Sequence, residues 1–273
     1  MIRIMILTCL LLPIVSTNAV AQEITYVAHR GESYLAEDNT LASIRLAWEL
    51  GAPAAECDIM LTRDKEVVLF HDKKGGRLTG HDFEVKETDY SEIKDYTILL
   101  RDTNLPEYNA ETIPLLSEVL ATIPADRTLV IEIKTGPEIL PYMAKVIADY
   151  WKTGNIAFIA FDFETILATK TIYPNIPCYY LSAIGLEVNS KFKQIKASNL
   201  DGVNLRHQII NKKLVKKFNR ADKDVWCWTV NDPEDARKMI NAGVSAITTD
   251  RPKWLSKQVD GEGNLRISNL HTF

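Results

Sequence analysis

Eight strand-like runs, at residues 25–29, 54–58, 128–133, 156–161, 178–181, 201–205, 225–230 and 245–249, alternate with segments of helical period along most of the chain. Parallel neighbours need a crossover between them, and eight β-then-α units in one chain close on themselves. Helix punctuation agrees with that count. Asn39-Thr40 opens a run that stops at Gly51, and Asp232-Pro233 opens one that stops at Gly243. The predicted fold class is α/β, a (β/α)8 TIM barrel.

One further run, at 66–71, breaks the alternation. Only residues 62–65 separate it from the second barrel strand, too few for a crossover, so the two must pair as an antiparallel β-hairpin. Residues 73–113 then precede the next helix and hold Gly75, Gly76, Gly80, Pro106 and two short polar-amphipathic pieces. The insertion after the second barrel strand is placed at about 59–116. Long insertions above a barrel mouth are more often functional than idle.

The first 21 residues stand apart from this pattern. Arg3 gives a basic start, residues 4–15 are apolar, and Ala19-Val20-Ala21 is a small-x-small cleavage site, so 1–21 is predicted to be a signal peptide and 22–273 a single barrel domain. The apolar stretch is too short for a comfortable membrane span. Export to the periplasm or the medium, without stable membrane insertion, is the expectation. A net charge of -4 and the lack of a long basic block disfavour nucleic acid as a partner. The lysines at 212, 213, 216 and 217 interleave with Ile209, Ile210, Leu214 and Phe218 at helical spacing, which reads as the wet face of a helix. Past the leader, Cys57, Cys178 and Cys227 each fall within a strand and read as core thiols.

Four of the runs end in charge: His29-Arg30, Glu56-Cys57-Asp58, His71-Asp72 and Glu132-Ile133-Lys134. Alternation sends Glu56 with Asp58, and Glu132 with Lys134, to one side of their strands. In barrel enzymes the C-terminal strand ends carry the chemistry. Glu56, Asp58 and Glu132 cannot crowd together as bare carboxylates. Pairing to Arg30 and Lys134 is one relief; the favoured one is a hard divalent cation, Mg²⁺ or Ca²⁺, which suits an all-oxygen donor set better than zinc does. Arg30 and Lys134 beside that cation suit a phosphorylated substrate, and His29 and His71 suit an acid and a base working near neutral pH. Asp72 adjoins His71 and can orient or charge-stabilise an imidazole. Trp226 and Trp228 face one way from the seventh barrel strand, the first toward the core and the second toward the substrate pocket. His207 follows a strand and can reach the mouth, whereas His81 and His271 carry little signal.

These residues resemble a known family. His29-Arg30-Gly31, Asp38-Asn39-Thr40, Glu56-x-Asp58, Val68-Leu69-Phe70-His71-Asp72, the 113–120 segment, Glu132-x-Lys134, Trp228-Thr229-Val230-Asn231 and Thr249-Asp250-Arg251-Pro252 occur in the order of the glycerophosphodiester phosphodiesterases, from about residue 25 to 255. The resemblance implies a metal-dependent hydrolase of lipid metabolism that splits a small glycerophosphodiester into an alcohol and sn-glycerol 3-phosphate. It makes Glu56, Asp58 and Glu132 the ligands of one divalent cation, His29 and His71 the catalytic pair, and Arg30 and Lys134 the phosphate contacts. Two departures stand out: Glu37-Asp38 replaces the family's Pro-Glu, and Glu32 follows Gly31 where a small residue is common, adding a negative charge at the mouth.

Three rivals are weighed. A phospholipase C- or D-like lipid phosphodiesterase should expose apolar loop residues at the mouth, and the insertion offers Phe83, Tyr90, Tyr96 and the 98–100 run. A two-carboxylate glycosidase leaves the histidines and Arg30 without a task. A non-catalytic exported protein that binds a phosphorylated ligand has no need of either histidine.

Overall fold

The computed structural model describes residues 24–108 and 110–261; the predicted leader, its cleavage site and His271 lie outside them. Nine strands form: β1 Thr25–Ala28, β2 Ala54–Leu61, β3 Val67–Leu69, β4 Thr128–Ile133, β5 Asn155–Ala160, β6 Cys178–Ser182, β7 Gly202–Arg206, β8 Asp224–Trp228 and β9 Ala246–Thr249. All but β3 are parallel. They run β1-β9-β8-β7-β6-β5-β4-β2, and pairing of Val27 with Ala54 and of Ala28 with Ala55 closes the ring. This is the (β/α)8 barrel read from the alternation. β3 lies outside the ring as the antiparallel partner of β2, with Met60 opposite Val68.

The side-chain alternation of β2 shows how the barrel is filled. Ala55, Cys57 and Ile59 point outward into the large core between strands and helices, while Ala54 points inward with Val130, Ala157, Tyr179 and Trp226. Tyr179 and Trp226 stack with centroids 3.9 Å apart, so the barrel floor is solid. Ionisable residues further along the same inward face can only emerge above that plug. Cys57, Cys178 and Cys227 are buried free thiols.

The expected caps are present. Thr40 accepts from the Ser43 amide at the start of the helix Leu41–Glu49, and Gly51 leaves it with φ +85. Asp232 accepts from the amides of Glu234 and Asp235 ahead of the helix Pro233–Ala242, and Gly243 closes it in the left-handed conformation. The helix Lys212–Asn219 buries Leu214, Val215 and Phe218, which leaves Lys212, Lys213 and Lys216 to solvent, while Lys217 lies over the Phe192 ring. The insertion owns a separate core of Met60, Val68, Phe70, Leu78, Val85, Ile93, Ile98 and Ile113, with Phe83, Tyr90 and Tyr96 packed on it. Those aromatics are structural rather than displayed at the mouth. Among the described residues no helix is long and apolar enough to cross a membrane.

Candidate active site

β2 and β4 are parallel and in register, Asp58 opposite Glu132, so two inward carboxylates of one strand meet one of the next. Glu56, Asp58 and Glu132 offer oxygens that all lie within 4.8 Å of one another, and all three residues are buried. Oε2 of Glu56 accepts the Arg30 backbone N–H at 3.0 Å; its Oε1 has no hydrogen-bond partner.

The turn after β1 is built to reach this cluster. Arg30 and Gly31 both take positive φ, +53 and +82. A Cβ at Gly31 would lie 2.4 Å from the Ser43 backbone, so glycine is required there. The left-handed Arg30 brings its Nε within 3.0 Å of Asp58 Oδ2 and its guanidinium within 3.0 Å of Asp38. Asn39, left-handed at φ +57, clamps Asp58 from the other side: its Nδ2 donates to Oδ2, and its Oδ1 accepts the Asp58 amide, both at 2.9 Å. Lys134 Nζ lies 2.7 Å from Glu132 and 3.5 Å from Asp58.

The charges sort themselves accordingly. Burial beside Asp58 and Glu132 pushes the Glu56 carboxyl well up, and burial beside Asp58 carries Glu132 to about 7. Burial works against Asp58 too, but Arg30 and Lys134 overcome it and hold its carboxyl below the ordinary range. Three acids that cannot all ionise comfortably, one with an oxygen facing nothing, fit a divalent cation of oxygen preference.

Each predicted histidine is held by a carboxylate. His29 Nδ1 lies 2.7 Å from Asp250 Oδ1, and Asp250 is fixed further by Asn231 Nδ2 at 2.6 Å. An ionised carboxylate accepts only, so the proton of a neutral ring sits on Nδ1 and leaves Nε2 for other chemistry. Asp250 stays ionised: burial opposes that, but the bond to His29 prevails. His71 follows β3, where the Phe70 amide bonds back to the Asp58 carbonyl at 3.1 Å, and the hairpin thereby returns it to the mouth. Its Nδ1 lies 2.6 Å from Asp72 Oδ1, which Arg77 grips with two further bonds. Burial lowers the His71 pKa, Asp58 resists, and Arg30 and Lys134 lower it further.

Trp228 stands half-buried at the end of β8. Its indole N–H donates to the Asn204 carbonyl at 3.2 Å, and its ring meets Phe161 edge to face at 5.5 Å. Lys134 Nζ sits 5.8 Å from the centre of that same Phe161 ring, which ties the indole wall to the cationic side of the site. His207 lies 3.4 Å from the Trp228 carbonyl, and His81 stacks on Tyr96 within the insertion. Neither joins the cluster.

The reading of Glu32 needs amendment, and Asp38 gains a role. Glu32 adds no charge to the mouth: it is buried, and burial together with Asp250 raises its pKa to about 8. Asp38 serves as a bridge, gripped by Arg30 at 3.0 Å and by Arg101 of the insertion at 2.6 Å. The pairing of Asp250 with His29 was not read from sequence, since nothing local to either residue signals a partner across the barrel seam.

Residues 29–254 match the model of the glycerophosphoryl diester phosphodiesterase family. A glycerophosphodiester phosphodiesterase of Caldanaerobacter subterraneus subsp. tengcongensis is 31% identical over 236 residues, covering 84% of this chain and 95% of that one. A human lysophospholipase D is 29% identical over 262 residues, covering 83% of each. A phosphodiesterase structure from Oleispira antarctica, in complex with the product sn-glycerol-3-phosphate, superposes with a TM-score of 0.78 at 27% identity, covering 86% of this chain and 96% of that one. On the barrel, the strand-end cluster and these matches together, the chain belongs to the glycerophosphoryl diester phosphodiesterase family and is a phosphoric diester hydrolase.

Proposed function

We propose that the protein hydrolyses glycerophosphodiesters to an alcohol and sn-glycerol 3-phosphate, with Glu56, Asp58 and Glu132 holding one divalent cation, Mg²⁺ or Ca²⁺, and with His29 and His71 as the acid-base pair. The observation that carries this reading is the buried carboxylate trio with its partnerless Glu56 oxygen, flanked by two cations and two carboxylate-held imidazoles. Bound there, the cation supplies Lewis-acid polarisation of the phosphoryl oxygens.

The chain's own residues then divide the work. Arg30 and Lys134 hold the phosphate and meet the charge that grows on it in the transition state. His71, whose pKa is lowered by burial and the neighbouring cations, is neutral near pH 7 and takes the proton of the attacking hydroxyl, from water or from the glycerol itself. As the phosphorus–oxygen bond to the alcohol breaks, His29, acting as the imidazolium with its Nδ1–H held by Asp250, gives its Nε2 proton to the departing oxygen. Asp250 and Asp72 keep the two rings aimed. If the glycerol hydroxyl attacks, a cyclic phosphate forms first, and water opens it with the two roles reversed. Trp228 walls the site against solvent.

A second reading is favoured by Phe161, Ile184 and Leu186, which stand exposed beyond the C-terminal ends of β5 and β6. Such a rim suits a substrate with an acyl chain on its glycerol. Turnover of glycerophosphodiesters and lysophospholipids, each with Mg²⁺, Ca²⁺ and chelator, decides between the two. Undiminished activity after exhaustive chelation would refute the metal assignment. The small-x-small site at 19–21 supports export with cleavage before Gln22, which mass spectrometry of protein recovered outside the cytoplasm checks directly.

A further inference from the structure

The mouth of the barrel is not symmetric. The carboxylate cluster sits over β2 and β4. On the opposite flank of β1, over β8 and β9, lies a cavity of about 410 Å³ bounded by Tyr34, Arg101, Thr103, Asn231, Asp250 and Arg251. Its size is that of a small-molecule site. It meets the site already described at Asp250, the residue that holds His29, at Asn231, which fixes Asp250, and through the grip of Arg101 on Asp38. A group resting in it is therefore next to His29 and away from His71, which the β2–β3 hairpin brings in from the far side.

Apart from Asp102 at the rim, the charged groups of the lining are committed, with one exception. Arg101 is tied to Asp38 and to the Ser33 carbonyl. Asp250 is taken up by His29, Ser33 and Asn231. Asp102, also at the rim, is exposed to water, where its charge is screened. The exception is Arg251. Its guanidinium carbon sits 3.6 Å from the centre of the Trp254 ring and 4.7 Å from that of Tyr34, and among the described residues it forms no ion pair. Two aromatic rings brace the group and no carboxylate pairs with it, which leaves N–H donors to meet a carboxylate or phosphate.

We infer that this cavity receives the alcohol half of the substrate, and that Arg251 selects alcohols bearing an anionic group, a carboxylate or a phosphate, over those bearing a quaternary ammonium. The inference rests on the phosphodiesterase reading above. It also accounts for why the insertion reaches back over β1: residues 101–103 supply one wall of the cavity.

The test compares kcat/KM for glycerophosphoserine, glycerophosphocholine and an aryl phosphodiester, all with divalent cation, in wild type and in Arg251→Met, which keeps an apolar stem between the two rings. Wild type should prefer the serine ester to the choline ester by about tenfold or more, the scale of a hydrogen bond to a charged group. Arg251→Met should lose that preference through a raised KM for the serine ester, with the choline and aryl substrates unchanged within about twofold. The aryl substrate reports folding and chemistry independently of the cavity. Equal loss on all three substrates would make Arg251 structural, and a wild type indifferent to headgroup charge would overturn the inference while leaving the phosphodiesterase reading intact. Turnover of none of the three by wild type would instead overturn that reading itself.

Discussion

Glu56→Gln is the sharpest perturbation of the carboxylate cluster because it removes the ability to ionise and almost no volume. The substitution keeps an oxygen to accept the Arg30 amide, as Oε2 of Glu56 does at 3.0 Å. Once ionised at high pH, Glu56 adds a second full charge within 4.8 Å, a repulsion of about 3.5 kcal/mol or more at an effective dielectric constant of about 20, and the ion pairs to Arg30 and Lys134 offset part of that. If only about 1 kcal/mol of repulsion survives the offset, the metal-free variant should melt about 2–4 °C above metal-free wild type at a pH that ionises Glu56, and close to it at pH 5.5. A cation at a hundred times its Kd should stabilise wild type by about 2.7 kcal/mol, or about 5–11 °C, and should do little for the variant.

The pH dependence carries the same sign. Glu56 and Glu132 have raised folded-state values. The stability each contributes is complete below the ordinary carboxylate range and is lost as pH rises through the folded value, about 7 for Glu132. Metal-free wild type should therefore melt lower at pH 8 than at pH 5.5, Glu56→Gln should show a shallower fall, and bound cation should abolish it. Thermal melts with chelator, Mg²⁺ and Ca²⁺ at the two pH values measure all of this. A variant that keeps the full cation-induced shift, or that melts well below wild type without metal, would refute the argument.

The other expectations concern turnover. Because the His71 pKa is lowered and the base must be neutral, the acidic limb of the kcat/KM profile should have its midpoint below about 6.5; a midpoint above 7 would contradict the assignment. Asp250→Asn should cut kcat by about 10²-fold or more through loss of the His29 tautomer and orientation, with KM little changed, and a loss confined to KM would show that it serves binding alone. Lys134→Ala should lower kcat/KM by at least about 2 kcal/mol without unfolding the barrel; near-normal kinetics would leave the lysine a counter-ion to Glu132 and nothing more.

What the sequence revealed and what it hid follow from the range of the interactions. The strands, the hairpin and the caps were legible because period and punctuation are local. Glu56, Asp58, Glu132 and Lys134 were legible because two alternating pairs on adjacent strands must meet on one face. The bond between His29 and Asp250 joins residues 221 positions apart, and only closure of the ring brings them together. The same is true of the grip of Arg101 on Asp38. The fate of Glu32 was misread because charge is written in the sequence and burial is not. Phe83, Tyr90 and Tyr96 offered themselves as mouth residues until a second core claimed them.

That second core has a consequence for how such a protein can change. β2 begins inside the barrel and ends inside the insertion, where Met60 belongs to a different packed unit from Ala54 and Cys57. Two of the proposed cation ligands thus ride on the barrel half of a strand whose other half carries the hairpin leading to His71. On the proposed assignment the insertion is inseparable from the catalytic apparatus, and deleting it would remove His71 along with a wall of the cavity. Exchanging residues 101–103 alone, outside that second core, would refit the neighbouring cavity and leave both imidazoles in place. Selectivity in this architecture can therefore drift at the edge of the module while the chemistry stays anchored at its root.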